Sequence, residues 1–119
     1  MADHLSLVNS HLLPDLYRAV FDQAHDAGFN LDSTGKIIEA NQAACSKLGC
    51  ARDELLHTDI HQFHESAAAE EFSQRLQRIE TEKDADFDTV LLHQDGTAIP
   101  VHIQLRSVEH DGREFILAN

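Results

Sequence analysis

The first apolar pattern of the chain has the period of a helix. Between Leu12 and Gly28, large apolar residues recur at spacings of three and four, which places them on one stripe of a helix. Pro14 suits the first turn of that helix, and Gly28 suits the left-handed position after its end. The stripe either faces the core or forms a dimer contact, and in the second case the contact residues are Leu13, Leu16, Tyr17, Val20 and Phe21.

Short elements with clear boundaries come next. Phe29 and Leu31 alternate with polar residues, and a Ser-Thr-Gly turn separates them from residues 36–40, so a β-hairpin is predicted. Asn41 is a favourable helix N-cap, and Gly49 suits a helix end. Short helical segments are therefore predicted over residues 41–48, 52–56 and 58–64.

The second half of the chain combines one longer helix with strands. Residues 66–82 predict a helix whose apolar face holds Ala69, Phe72, Leu76 and Ile79. In the last forty residues the apolar period becomes two, as in strands. Asp-Gly pairs at 95–96 and 111–112 predict hairpin turns, so three antiparallel strands follow the helix. Pro100 lacks a backbone donor and is expected at a sheet edge or a bulge.

This order of elements predicts an α+β domain. It contains a five-stranded antiparallel sheet, and the helices are expected to cover one of its faces. The 119 residues suit one domain, with residues 1–28 as an N-terminal helical extension and residues 29–119 as the domain itself.

Charge and composition narrow the range of partners. The net charge of −12 opposes binding to nucleic acids and to anionic membrane surfaces. No apolar run approaches the roughly 20 residues of a membrane span, and the first residues lack the layout of a signal peptide. Two cysteines without a Cys-x-x-Cys pair are typical of a cytosolic protein, and we expect a cytoplasmic location.

Candidate chemistry is sparse. The sequence has no Gly-x-Ser-x-Gly, no phosphate-binding loop and no His-Glu-x-x-His, so no catalytic residue is predicted and this segment is not expected to be an enzyme. His57, His61 and His64 have spacings of four and three, which would place them on one face of a continuous helix able to hold zinc. An N-cap at Thr58 or Asp59 would leave His57 outside that helix. The prediction is therefore surface histidines without a metal, with a metal site and a pH-responsive cluster as the alternatives.

Three pieces of the chain resemble the PAS sensory domain. Residues 31–44, LDSTGKIIEANQAA, are similar to its opening hairpin and Asn-capped helix. Residues 48–56, LGCARDELL, are similar to its LGY-x-x-EEL-x-G stretch, and residues 93–101, HQDGTAIPV, to its K-DGS-x-x-PV hairpin. The chain departs from the pattern at Cys50, where the family has an aromatic residue, and at His57, where it often has glycine.

The resemblance implies a pocket between the inner face of the sheet and the long helix. Either the side chains there fill the core, or they leave room for a small, apolar or weakly polar ligand. The candidate residues are Phe29, Leu31, Phe72, Leu76, Phe87, Thr89, Leu91, Val101, Ile103 and Leu105.

The usual cofactors of the family are not expected in this pocket. Family members that bind haem ligate it through a histidine of the long helix, and residues 66–82 contain none. Members that bind flavin carry a cysteine motif before that helix, or a tryptophan in the pocket, and residues 61–65 contain no Cys while the chain has no Trp. No cofactor is therefore predicted.

The resemblance also implies a role in signalling. We expect the N-terminal sensor of a larger bacterial protein, whose effector follows residue 119 and is a histidine kinase, a cyclic-di-GMP enzyme or a transcription regulator. The alternative is a ligand-free module for dimerisation and relay. In that case the first helix and the outer sheet face, with Val90, Leu92 and His102, would form the contacts of a homodimer.

Overall fold

The computed structural model describes residues 13–119, and the predicted extension before residue 13 lies outside the described residues. Helix α1 spans Leu13–Gln23. The elements after it are β1 (Phe29–Asp32), β2 (Ile37–Ala40), α2 (Gln42–Leu48), α3 (Arg52–Leu55), a 3₁₀ helix (Ile60–Phe63), α4 (Ser66–Glu82), β3 (Asp84–Leu92), β4 (Ala98–His110) and β5 (Arg113–Ala118). Among residues 13–119, no helix has the length and apolar character needed to cross a membrane.

The five strands form one antiparallel sheet in the order β2-β1-β5-β4-β3. The last strand therefore lies between the N-terminal hairpin and the β3–β4 hairpin. This arrangement confirms the predicted α+β class and the five-stranded antiparallel sheet.

One face of the sheet carries the core. Strand register places Phe87 opposite Ile103 and Thr89 opposite Val101, and these residues share a face because side chains alternate along a strand. Helix α4 packs on this face and buries Phe72, Leu76 and Ile79 against it. Burying one large apolar side chain contributes about 1.5–3 kcal/mol to the stability of a fold. The large apolar residues buried in this core are Phe29, Leu31, Ile37, Leu48, Leu55, Ile60, Phe72, Leu76, Ile79, Phe87, Leu91, Ile103, Leu105 and Ile116.

Strand β4 is longer than β5, one of the two strands that pair with it. Strand β5 pairs with β4 from Leu105 to His110, and Gln104 exchanges two backbone hydrogen bonds of 3.0 Å with Asn119. Because bonding direction alternates along a strand, Pro100 directs its nitrogen to the same side as Gln104, beyond the end of β5. The proline therefore lies at a sheet edge, as its missing donor predicted.

The β3–β4 hairpin is fastened to the end of α2. Gln94 N–H donates to the Leu48 carbonyl at 2.8 Å. Gly49 ends α2 in the left-handed conformation, with φ of 73°, and the His93 ring lies where a Cβ on Gly49 would stand. Gly49 therefore provides both the positive φ and the close approach that this junction requires.

Candidate functional site

A cavity of about 430 Å³ lies on the inner face of the sheet, where β1 begins and β5 ends. We call it the inner-face cavity, and its apolar walls are formed by Phe29, Leu91, Val101, Ile103 and Ala118. The first four belong to the set predicted to line a pocket. A volume of this size is within the range of small-molecule sites, which span about 300–1,000 Å³.

Polar residues also line the inner-face cavity. Lys47 of α2 and Asp26, in the linker between α1 and β1, both line it, together with His102 and Gln104 of β4 and Asn119, which follows β5. The cavity therefore has a mixed lining of apolar and polar residues. It also touches the linker that leads to α1.

The other predicted pocket residues lie elsewhere. Leu31 and Leu105 are buried in the core. The Phe72 and Phe87 rings pack edge to face, with centroids 6.0 Å apart, and Leu76 is buried beside them on α4. Thr89 is half-buried and lines a shallow depression with Val90, Pro100 and His102. The structure thus places the predicted strand residues on one face of the sheet, with Phe72 and Leu76 on α4, but gathers only four of the set around the cavity.

His64 is buried, with 6% of its surface exposed, so the expectation of surface histidines is wrong for this residue. Its Nδ1 lies 3.0 Å from the Ile60 carbonyl oxygen, and its ring centroid is 4.9 Å from that of Phe72. Burial lowers the pKa of His64 and outweighs the opposite effect of that hydrogen bond. His64 is therefore a neutral imidazole at neutral pH.

The other two histidines of the segment have different surroundings. His61 is half-buried, its Nδ1 pairs with the Asp59 carboxylate, and its ring meets the Phe72 ring edge to face at 5.7 Å. His57 is exposed and has a φ of 69°. Residues 13–119 contain no group of three or more His, Cys, Asp or Glu side chains placed to hold a metal ion.

His61, His64, Phe72, Arg75 and Phe87 form a cluster that we call the ring cluster. The Arg75 guanidinium lies over the Phe87 ring, 4.3 Å from its centroid. Three buried nitrogens of the cluster, one from each polar member, have no hydrogen-bond partner among the described residues: His61 Nε2, His64 Nε2 and Arg75 Nε. Sequence reasoning missed this cluster, although a 3₁₀ helix brings residues three apart onto one side.

The two cysteines show no sign of reactive chemistry. Both are free thiols, Cys45 buried and Cys50 half-buried. Burial raises the pKa of both thiols, which keeps them protonated at neutral pH. They pack as small apolar residues, in agreement with the sequence interpretation.

The predicted dimer-contact residues lie on α1, where the side chains of Leu13 and Tyr17 fall outside the described part. Leu16 and Val20 are exposed over 53% and 61% of their surfaces. Phe21 is half-buried, and its ring lies 3.0 Å from the position of a Cβ on Gly28. Helix α1 therefore presents apolar side chains to solvent while its C-terminal part contacts the domain.

The outer face of the sheet carries His102, as strand alternation predicted. Its Nδ1 lies 2.7 Å from an oxygen of Asp88, and its Nε2 pairs with Asp86. The hydrogen bond to Asp88 is the main cause of the raised pKa of His102. Both ring nitrogens face carboxylates, which favours the doubly protonated ring.

Comparison with known proteins gives a family match. The sequence model of the PAS domain family matches residues 26–118. A methyl sulfide methyltransferase-associated sensor of Methanosarcina acetivorans is 22% identical over 103 residues, which cover 86% of this chain. The chain spans only 10% of the length of that relative.

Solved structures share the fold. The PAS domain of an HTR-like protein from Haloarcula marismortui superposes with a TM-score of 0.80 at 24% identity, covering 99% of this chain and 96% of that one. A PAS domain from a two-component sensor histidine kinase also has a TM-score of 0.80, at 21% identity, and covers 92% of this chain and 95% of that one.

Proposed function

The chain belongs to the PAS domain family, and we propose that it is the cytoplasmic sensory input module of a larger signalling protein and binds a small ligand in the inner-face cavity. The cavity itself is the observation that carries this proposal. It combines apolar lining residues, which favour an apolar ligand body, with polar ones such as Lys47 and Asp26, which can orient a polar group.

The position of the cavity suggests how binding is relayed. A ligand there contacts the linker at Asp26 and Ala27, which leads into α1, and the end of β5 at Ala118. A ligand that binds one arrangement of these segments more tightly than another shifts their equilibrium. The change would then pass to an effector through α1 or through the chain after β5.

The nature of the effector forms part of the proposal. Similarity to a sensor and to PAS domains of histidine kinases favours a bacterial-type two-component protein, with a cyclic-di-GMP enzyme or a transcription regulator as the other options. The domain itself carries no catalysis in this proposal.

The alternative is a ligand-free module that acts through dimerisation. Exposed Leu16 and Val20 on α1 favour it, because burying them against a second copy would remove apolar surface from water. Replacing both by Asp leaves a monomer by sedimentation velocity if α1 forms the contact. A dimer that survives this double change contradicts the alternative.

A ligand screen with a matched pair of variants tests the proposed site. We expect members of a library of small metabolites to shift backbone amide NMR signals of Leu91, Val101 and Ala118. Val101→Phe fills the cavity and abolishes these shifts, whereas Val90→Phe, on the opposite face of the sheet, leaves them unchanged. Shifts that persist in Val101→Phe, or that lie away from the cavity, contradict the proposed site.

A further inference from the structure

The Asn41 side chain connects helix α2 to the linker between α1 and β1. It is buried, with 1% of its surface exposed. Its Oδ1 accepts from Ala44 N–H at 2.9 Å, which caps α2, and from Gly28 N–H, also at 2.9 Å. Its Nδ2 donates to the Asp26 carbonyl at 2.9 Å. One amide group therefore has two separate tasks, capping α2 and holding the linker.

The part of the linker that Asn41 holds also lines the inner-face cavity. Asp26 and Gly28 bond to the Asn41 side chain, and Ala27 lies between them. Asp26 and Ala27 both line the cavity. The segment that a ligand would touch is therefore the segment that Asn41 fixes in place.

Helix α1 depends on this linker for its position. Leu16 and Val20 of α1 are exposed, so much of its apolar stripe gains no burial from the domain. The helix ends shortly before Asp26 and is fastened near that end by the Asp22–Arg52 ion pair. Because elements with few buried apolar contacts open locally at low cost, release of the linker should loosen α1 before the rest of the domain.

We infer that Asn41 is a positioning residue that couples the inner-face cavity to α1. A ligand in the cavity packs against Asp26 and Ala27 in the arrangement that Asn41 fixes, and so favours that arrangement over one in which the linker is released. Occupancy of the cavity thereby orders α1. The inference rests on the proposed function, since it selects α1 as the route of the relay and names the contact that carries it.

Asn41→Asp separates the two tasks of the side chain. Aspartate caps helices as well as asparagine does, and it keeps an oxygen that accepts from Ala44 and Gly28. It replaces the Nδ2 donor by a second acceptor, which cannot bond the Asp26 carbonyl. Asn41→Ser is the companion variant without a buried charge, because it keeps a capping hydroxyl but is too short to reach that carbonyl.

Amide hydrogen exchange in α1 measures the coupling, with Val101→Phe as the probe that occupies the cavity of the 119-residue domain. We expect Val101→Phe to slow exchange in α1 by about fourfold, the effect of burying one further methylene group. Asn41→Asp should speed it by about tenfold or more, because two acceptors then face each other without a donor. In that background Val101→Phe should have no effect on α1, since the released linker no longer lies against the cavity.

A purely structural Asn41 gives a different pattern. If Asn41 only caps α2, Val101→Phe changes exchange in α1 by the same factor in both backgrounds, because independent substitutions add. Val90→Phe, on the opposite face of the sheet, is the matched control and should leave α1 unchanged. In the otherwise native chain, the Asn41 Nδ2 protons should themselves exchange more slowly in Val101→Phe, which NMR detects without any change at Asn41.

Several results would overturn the inference. Exchange in α1 that Val101→Phe leaves unchanged or speeds shows that the cavity is not coupled to the helix. An equal effect in the wild-type, Asn41→Asp and Asn41→Ser backgrounds shows that Asn41 does not carry the coupling, as do Nδ2 protons that ignore Val101→Phe. Each of these leaves the proposed pocket standing, because the metabolite screen decides separately whether the cavity binds a ligand.

Discussion

Asp22 of α1 and Arg52 of α3 form an ion pair, with 2.5 Å between Asp22 Oδ1 and Arg52 Nη2. Arg52 Nε also donates to the Ala40 carbonyl at 3.1 Å, so the pair connects the first helix to the end of β2. Nearby, Asn41 Nδ2 donates to the Asp26 carbonyl at 2.9 Å and its Oδ1 accepts from Gly28 N–H. The linker and α1 are therefore tied to the domain by specific polar contacts rather than by burial alone.

Removing the ion pair should loosen α1 without unfolding the domain. We predict that Asp22→Asn speeds amide hydrogen exchange in α1 by about 1.4- to fivefold, because a partly exposed ion pair contributes roughly 0.2–1 kcal/mol. Mass spectrometry of exchanged peptides gives this rate. Glu82→Gln, which removes the Arg78–Glu82 pair of α4, is the matched control and should leave α1 unchanged.

If α1 exchanges at the wild-type rate in Asp22→Asn, the ion pair does not hold the helix. Faster amide exchange over the whole domain would show instead that the substitution weakens the fold.

The junction at Gly49 should be far less tolerant of a side chain than the turn at Gly96. Both glycines have positive φ, so alanine strains either backbone by about 1–2 kcal/mol. A Cβ at Gly49 also displaces the His93 ring, whose Nδ1 accepts from Asp95 N–H at 3.0 Å, whereas Gly96 has open space around it. We predict that Gly49→Ala lowers the free energy of unfolding by about 1 kcal/mol more than Gly96→Ala, measured by urea denaturation.

The same two glycine substitutions made in a His93→Ala variant test whether the extra cost at Gly49 comes from the contact with the His93 ring. In His93→Ala the difference between the two glycine substitutions should vanish, because the displaced ring is gone. A difference that persists there would assign the extra cost to something other than the His93 contact.

At His57, replacement by glycine should stabilise the domain instead of weakening it. This residue has φ of 69° where the PAS pattern often has glycine, and its side chain is exposed. We predict that His57→Gly raises the free energy of unfolding by about 0.5–1 kcal/mol, since glycine adopts this conformation without steric cost. His57→Ala keeps the strained Cβ and should bring no gain, so equal effects of the two substitutions in urea denaturation would refute the explanation.

Acid should weaken the domain through His64. Its folded-state pKa is lowered by burial, so the unfolded chain binds the proton more readily and stability falls as the pH drops below about 6.5, the ordinary histidine value. The titratable group that acts on the ring is His61, which lowers the pKa further. We predict that the stability of His64→Gln falls less steeply than that of the wild type between pH 7 and pH 5.

His102 provides a control of opposite sign. Its pKa is raised, so it stabilises the fold below the ordinary histidine pKa and this contribution is lost as the pH rises through the raised value. His102→Gln should therefore lower the free energy of unfolding more at pH 5 than at pH 8. If His64→Gln follows the wild-type pH dependence, protonation of His64 does not limit stability in acid.

Most of the fold could be predicted because its elements have strong local patterns. Helix α4 has the predicted bounds of residues 66–82, since its apolar period is unbroken until Lys83 takes a positive φ. Asn41 caps α2 as predicted, with its side chain accepting from Ala44 N–H. The order of the strands across the sheet could not be predicted from these patterns, because periodicity carries no information on which strands pair.

The site was harder to predict because it depends on tertiary register. The inner-face cavity exists where β5 ends beside Gln104, and neither strand pattern shows how far β5 extends along β4. The burial of His64 was missed because the spacing of histidines was judged on an α-helix, while the chain forms one 3₁₀ turn and then bridges Leu91.

A native mass spectrum of the freshly purified domain tests the central claim most directly. If the domain is a ligand-binding sensor, the spectrum shows mass above 13.3 kDa per chain that disappears on denaturation, and the excess gives the size of the ligand. Chains that carry no excess mass before denaturation contradict ligand binding, and bare dimers would favour the module that acts through dimerisation.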